Sequence, residues 1–428
     1  MIIRQHYLDK LIAFRDEDLI KVVTGVRRCG KSTLLEMMRQ YLIDRGVPQD
    51  RTFMFRMESM EFDNVKTYRQ LYDLVVSRAG NADRPYLFFD ELQNIEGWER
   101  AINALRVDLD CDIYLTGSNA YLLSSELSTY LSGRYVEVEM LPLTFSEYLD
   151  FRAAKWFPAN SPQADLAQLG DGSFVTMNSL LTSFRQFGGL PFLALNQPSR
   201  ENHRAYCKSL YETVIVRDIL ERNRRRDRRR LTDPDLLEKV CRFLADNIGN
   251  ENSVNSIAGV MRSQGSKAAN NTVGAYIEAL CEGYLFYPAR RYDIKGKELL
   301  KTNGKHYIID TGVRNYLQGY RDSDQGRVFE NMVFLQLLYD GYEVTVGKLR
   351  VGEIDFVATR GDERLYIQAT EDMTDSGTMK RELAPLQALR DAYPKMVVAM
   401  RGSYPTEIDG IQIIDAIDFF LHRRKSYC

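Results

Sequence analysis

The sequence predicts an α/β protein of several domains led by a parallel sheet, and three features carry that expectation. An apolar run, LIKVVT at residues 19–24, passes through the glycine-bearing segment TGVRRCGKST into a helix-like stretch, STLLEMMRQYLIDRG, ended by Gly46. Two further apolar runs, YLFFDE at 86–91 and DIYLTGSN at 112–119, end in polar residues, as the buried strands of a parallel sheet do. From about residue 300 helical and strand periodicities are mixed again.

A chain of 428 residues is too long for one core, so two to four domains of roughly 100–150 residues are expected. The composition shifts place the boundaries at 1–150, 151–232, 233–299 and 300–428. Lys+Arg of 57 against Asp+Glu of 59 makes the chain nearly neutral, so any nucleic-acid contact must come from local patches. No apolar stretch approaches the ~20 residues that span a bilayer, and MIIRQHYLDKLIAF lacks the apolar core and cleavage site of a signal peptide. A cytoplasmic protein without a membrane partner is expected. The cysteines Cys29, Cys111, Cys207, Cys241, Cys281 and Cys428 are scattered, which argues against a structural zinc site, and Cys29 reads as a small loop residue.

Gly25 to Ser32 satisfies G-x-x-x-x-G-K-[ST] in the strand–loop–helix setting that gives the pattern meaning. Glycines let the backbone wrap a phosphate, the N–H groups and helix N-terminus supply positive potential, and a lysine reaches the outer phosphates. The expected ATP-binding set is Gly25, Val26, Arg27, Arg28, Cys29, Gly30, Lys31, Ser32 and Thr33, with Ser32 as a ligand of Mg²⁺. YLFFDE then delivers Asp90 to the carboxyl edge of the sheet as a second Mg²⁺ contact, and Glu91 is placed to polarise a water for attack on the γ-phosphate. At the end of the third run, Thr116, Ser118 or Asn119 is positioned to sense that phosphate.

The ordered set GVRRCGKST, YLFFDELQNIEGWE, IYLTGSNAYLLSSELSTYLSGRYVEVEMLPLTFSEYL and FRQFGGLPFL resembles the AAA+ ATPases, in particular the prokaryotic group whose C-terminal half has been labelled a domain of unknown function. The resemblance covers essentially the whole chain. It implies that Asn119 is a sensor residue, that Arg134 is an arginine finger acting on a neighbouring subunit, and that Gly188 to Pro191 marks a helical lid. It also implies a homo-oligomer, with a hexameric ring as one form.

Residues 151–180 read as loop and then helix, a hinge before the helical region that runs to about 232. That region holds RNRRRDRRR at 222–230; on a helix Arg222, Arg225, Arg226 and Arg229 would line one face, able to grip a phosphate backbone or to pair with acids of another subunit. Between 235 and 292 the pattern is a helix, a short helix capped by Ser253 or Asn255, a turn at Gly265, a longer helix from about Ala268 to Cys281, and a basic, aromatic hairpin. This is the layout of a winged helix-turn-helix, with Ser266, Lys267, Asn270, Asn271 and Thr272 leading into a groove and Arg290, Arg291 and Lys295 in the wing; such modules also dock proteins.

In the last segment Glu330 falls on a helix, Glu353 and Asp355 on one strand, and Gln368 on the next. The arrangement resembles the PD-(D/E)xK nuclease fold, which assembles a divalent metal and a lysine around a phosphate. Thr370 stands where the pattern asks for lysine, so a retired nuclease is expected, with Lys380 and Arg381 as the nearest basic substitutes. The fold class is thus a P-loop NTPase sheet with helical lid, winged helix-turn-helix domain and restriction-endonuclease-like α/β domain. The leading functional expectation is an ATP-hydrolysing machine acting on DNA, as motor, helicase or remodeller, with branched junctions as the sharper version. The alternatives are a nucleotide-switched signalling ATPase that binds proteins and an ATP-controlled nuclease.

Overall fold

The structure is a computed structural model describing residues 2–117, 131, 133–158, 165–196, 199–212, 219–220, 231, 233–350, 352–400, 402 and 404–423. The chain forms two compact units, residues 1–142 with 282–284, and residues 143–281 with 285–428.

The first unit is built on five parallel strands, β1 (Ile20–Thr24), β2 (Thr52–Arg56), β3 (Tyr86–Asp90), β4 (Asp112–Thr116) and β5 (Tyr135–Glu139), in the order β2-β3-β4-β1-β5. The unbroken apolar runs follow from burial on both faces. Leu87 and Phe89 enter one core, where Phe89 stacks on Phe55 at 5.1 Å, while Phe88 stacks on Tyr114 at 4.9 Å on the other face. Each such ring contributes roughly 1.5–3 kcal/mol by leaving water. Lys21 and Asp112, both fully buried, form a close ion pair between β1 and β4, and the Tyr114 hydroxyl donates to the same carboxylate. This polar network lies toward the amino ends of the strands, so the carboxyl ends of β1 and β3 are left for the loops that follow. The helix Lys31–Asp44 leaves β1 with Leu34, Leu35, Met38 and Leu42 buried.

In the second unit, residues 151–176 differ from the loop-and-helix expectation. They contain a small antiparallel sheet, β6 (Lys155–Phe157), β7 (Leu166–Gln168) and β8 (Phe174–Thr176). Each strand is three residues long, too short for an alternating pattern to register, and the sheet is held because Ala167 is buried in the unit's main core with Val175 packed against it. The arginine run 222–230 lies outside the described residues.

Helices Pro234–Asp246, Val254–Ser263 and Asn270–Glu282 follow, the second capped by Ser253, whose hydroxyl accepts from the Ser256 N–H. A hairpin comes next, β9 (Phe286–Asp293) with β10 (Glu298–Ile308). The expected boundary at 299/300 falls inside β10. The hairpin does not end a module: β9 pairs in parallel with β11 (Glu343–Lys348), and the sheet continues through β12 (Glu353–Arg360), β13 (Glu363–Thr370), β14 (Lys395–Ala399), β15 (Glu407–Ile408) and β16 (Ile411–Asp415) in the order β10-β9-β11-β12-β13-β14-β16-β15. The helix Gln325–Tyr339 buries Val328, Phe329, Met332, Val333, Phe334 and Leu337, consistent with its apolar composition nearly all round.

The GGLP segment, expected to mark a lid, is a close-packed turn in this unit. Gly188 has φ 81°, and a Cβ there would lie 2.2 Å from the Asp310 carboxylate, which accepts from the N–H groups of Gly189 (2.7 Å) and Val313 (2.9 Å). Burial pushes the Asp310 carboxyl up to about 6, against the downward pull of those N–H donors. Among the described residues no helix is long and apolar enough to cross a membrane.

Candidate functional site

The loop after β1 turns on residues whose backbone lies in the left-handed region, Gly25 (φ 131°), Arg28 (φ 64°) and Gly30 (φ 107°). Gly25 is also required by space, because a Cβ there would sit 2.2 Å from the Met140 carbonyl oxygen. Cys29 is buried in this turn as a free thiol, as a small loop residue should be. The Arg4 guanidinium, 3% exposed, donates to the carbonyls of Cys29 and Leu141 (3.2 and 2.8 Å), tying the loop to the end of the sheet. Arg4 escaped the sequence reading because an isolated arginine before a helix carries no pattern.

Lys31 opens the following helix, and its ammonium donates to the Gly25 and Val26 carbonyls at 2.9 and 3.0 Å, holding the charge over the loop. Ser32 Oγ donates to Asp90 Oδ1 at 2.9 Å, and Thr116 Oγ1 donates to the same oxygen at 2.7 Å. The ends of β1, β3 and β4 thereby meet. Thr116 also accepts from the Glu91 N–H at 3.1 Å. Glu91 stands just past β3 with φ 60°, and its carboxylate is engaged by Gln93 Nε2. Beside β1, Thr24 Oγ1 donates to Glu137 at 2.5 Å.

Gly25, Val26, Cys29, Gly30, Lys31, Ser32, Asp90, Glu91 and Thr116 are therefore gathered at the carboxyl edge of the sheet, with Arg27, Arg28 and Thr33 in the same loop and helix start. Ser118 and Asn119 lie outside the described residues. Arg134 is at the opposite edge: its carbonyl accepts from the Ile20 N–H at the start of β1, and its guanidinium donates to Asn103 at 3.2 Å. A five-residue strand, ~16 Å, separates it from its own phosphate loop.

Of the winged-helix candidates, Lys267, Asn271, Arg290 and Lys295 are exposed. Asn270 is occupied with Arg262 and Asn255, and Arg291 with Glu251 at 2.8 Å. Ser253, Asn255, Arg290 and Asn303 help line a cleft of about 680 Å³.

The carboxylates of the C-terminal sheet do come together, but around a residue the sequence reading passed over. Lys305 of β10 places its ammonium 3.0 Å from Glu330, 2.5 Å from Glu353 and 4.0 Å from Asp355. This corrects the expectation that Lys380 or Arg381 supplies the nearby charge: Lys380 is exposed, and Arg381 pairs with Glu382 at 3.0 Å. Gln368 accepts from the Asp355 N–H at 3.2 Å and donates to Glu382. Burial works against the charged form of Lys305, yet Glu330, Asp355 and Glu353 hold its pKa above the ordinary lysine value. For Asp355, burial and then the negative charge of Glu330 push the carboxyl well above the usual range while Lys305 pulls it down. The available signal was strand alternation, since Lys305 and Tyr307 share a face and both reach Glu330.

Residues 17–149 match a family described as an AAA domain, and residues 180–324 match a domain of unknown function (DUF8612). A protein of Haemophilus influenzae is 36% identical over 423 residues, 98% of this chain and 99% of that one. A protein of Methanocaldococcus jannaschii is 27% identical, covering 87% of this chain and 79% of its own. Among solved structures, a Walker-type ATPase of Pyrococcus abyssi superposes with a TM-score of 0.50 at 16% identity, covering 74% of this chain and 96% of that one, a likeness of fold.

Proposed function

The chain belongs to the family of AAA-domain, P-loop ATPase proteins that it shares with the Haemophilus influenzae relative, and from that premise we propose that it is a Mg²⁺-dependent ATPase that acts on DNA as a homo-oligomer. The observation that carries the catalytic part is the meeting of Ser32, Asp90 and Thr116 beside the Gly25–Lys31 loop. Two oxygens 2.9 Å apart, one hydroxyl and one carboxylate, next to a lysine and a helix N-terminus, fit an octahedral cation shared with phosphates. Mg²⁺ bound there would neutralise charge on the phosphate oxygens. Lys31 would leave the loop carbonyls for the outer phosphates, Asp90 would hold the metal through its water shell, and Glu91 would orient the attacking water once released from Gln93. Thr116 would keep Asp90 and the Glu91 backbone in register, alongside Asn119 as sensor.

The position of Arg134 supports an oligomeric machine. At the sheet edge away from its own phosphate loop, it has a route to a γ-phosphate only in a neighbouring subunit, where an arginine stabilises developing charge. For DNA, the support is the helix–turn–helix–hairpin order with Lys267, Asn271, Arg290 and Lys295 exposed, read as a winged helix whose basic groups meet phosphates. The C-terminal sheet is read as a nuclease-like fold used for support and contact, without cleavage.

Steady-state ATP turnover with single-stranded, duplex and branched DNA tests this reading. Turnover should rise with DNA, and Lys267→Glu combined with Arg290→Glu should remove the stimulation while leaving DNA-free turnover intact. Turnover indifferent to all three DNAs would instead mark a switch that binds protein partners.

A further inference from the structure

A nuclease-like sheet implies a divalent metal at Glu330 and Asp355, with Glu353 beside them, and the residues present do not fit one. Among the described residues no three His, Cys, Asp or Glu side chains converge so as to hold a metal ion. Each carboxylate already has its partners. Glu330 Oε1 accepts from Lys305 at 3.0 Å and from the Tyr307 hydroxyl at 2.6 Å. Glu353 Oε1 faces the same ammonium at 2.5 Å, and Asp355 Oδ2 accepts from the Ala369 N–H at 2.9 Å. The Gln368 oxygen, on the neighbouring strand, is turned back to the Asp355 N–H. Access is narrow as well. Lys305 is 6% exposed, and Gly249, with φ 72°, brings backbone so close that a Cβ there would sit 3.2 Å from both Glu330 oxygens.

Resting on the nuclease-like reading, we infer that the Lys305 ammonium has taken the place of the divalent cation, turning a cleavage centre into a metal-independent clasp. The clasp joins β10 to β12 and to the helix Gln325–Tyr339, three elements distant in sequence. It uses the lysine for cohesion where a nuclease would use it for chemistry, and it adds a side-chain tie to the ladder that already joins the hairpin to the sheet through β9 and β11.

The test is Mn²⁺ binding by the full chain without nucleotide, counted by calorimetric titration. Wild type and Asp355→Asn should bind the same number of equivalents, because the cluster takes none. Lys305→Met should gain one equivalent, and Lys305→Met combined with Asp355→Asn should lose it again. One equivalent fewer in Asp355→Asn than in wild type overturns the inference and leaves the nuclease-like reading of the fold standing, because the cluster then still holds its metal. A folded Lys305→Met that gains no Mn²⁺ overturns the inference and the nuclease-like reading together. Should Lys305→Met fail to fold, the comparison of wild type with Asp355→Asn decides alone.

Discussion

The nucleotide loop and the C-terminal cluster use the same two residue types in opposite ways. At the loop, among the described residues, Asp90 accepts from the hydroxyls of Ser32 and Thr116, while Lys31 donates to neutral carbonyls. Neither charge cancels the other, so the carboxylate remains available to a cation and the ammonium to an anion. At the C-terminal cluster, Lys305 is inserted among Glu330, Glu353 and Asp355, and each charge is spent on its neighbours. In this chain a lysine and an aspartate that the fold keeps apart leave both charges open to a ligand, whereas those pressed together and buried are spent on one another.

The largest effect that would break this contrast is at Lys305. Removing one member of a buried ion cluster leaves the remaining charges uncompensated, so Lys305→Ala should lower stability by ~3–5 kcal/mol in chemical denaturation. A change within experimental error would mean that the cluster is solvated and not structural. Lys31→Ala should leave stability nearly unchanged and reduce ATP turnover at least ~100-fold, the scale on which a single charge-stabilising donor acts. Both halves of that result are needed, one by denaturation and one by steady-state kinetics.

Asp310 is an intermediate case, a buried carboxylate that among the described residues accepts from backbone N–H groups. With its folded pKa raised to about 6, the native state binds the extra proton between the ordinary aspartate value and that point. Stability from this group is therefore fully present below about pH 4 and is lost as pH rises through about 6, with a slope of at most ~1.4 kcal/mol per pH unit. Denaturation midpoints between pH 4 and 7 should show that slope in wild type and lack it in Asp310→Asn. The smallest effect expected is at Thr116. Loss of its hydroxyl in Thr116→Val should slow turnover about five- to tenfold, near the ~1 kcal/mol of one hydrogen bond, with little change in nucleotide affinity.

Legibility from sequence tracked how local the determinant was. The strands of the first unit were readable because IKVVT and YLFFD are buried on both faces and so appear as unbroken apolar runs, and the phosphate loop because its glycines, lysine and serine are contiguous. Glu353, Asp355 and Gln368 were readable for the same reason, lying on adjacent strands joined by a short turn. Lys305 was not. It reaches the cluster from a strand 48 residues before Glu353, a separation that no spacing rule covers, and it sits on a hairpin whose chemistry read as basic and outward-facing. The three-residue strands β6, β7 and β8 escaped because three residues cannot establish a period. Thr116 is one of three small polar residues at the end of its run, and the register of β4 beside β3 brings its hydroxyl to Asp90.

The parallel pairing of β9 with β11 bears on how the chain can be shortened. A truncated version that stops near residue 300, as a division by sequence modules would recommend, severs β10 and strips β9 of the neighbour on its other flank. It would expose a raw strand border rich in tyrosine and arginine, and such a fragment should cluster with copies of itself. Cutting near 142 leaves each of the described hydrogen-bonded sheets whole on its own side, with residues 282–284 of the first unit parted from the rest of it.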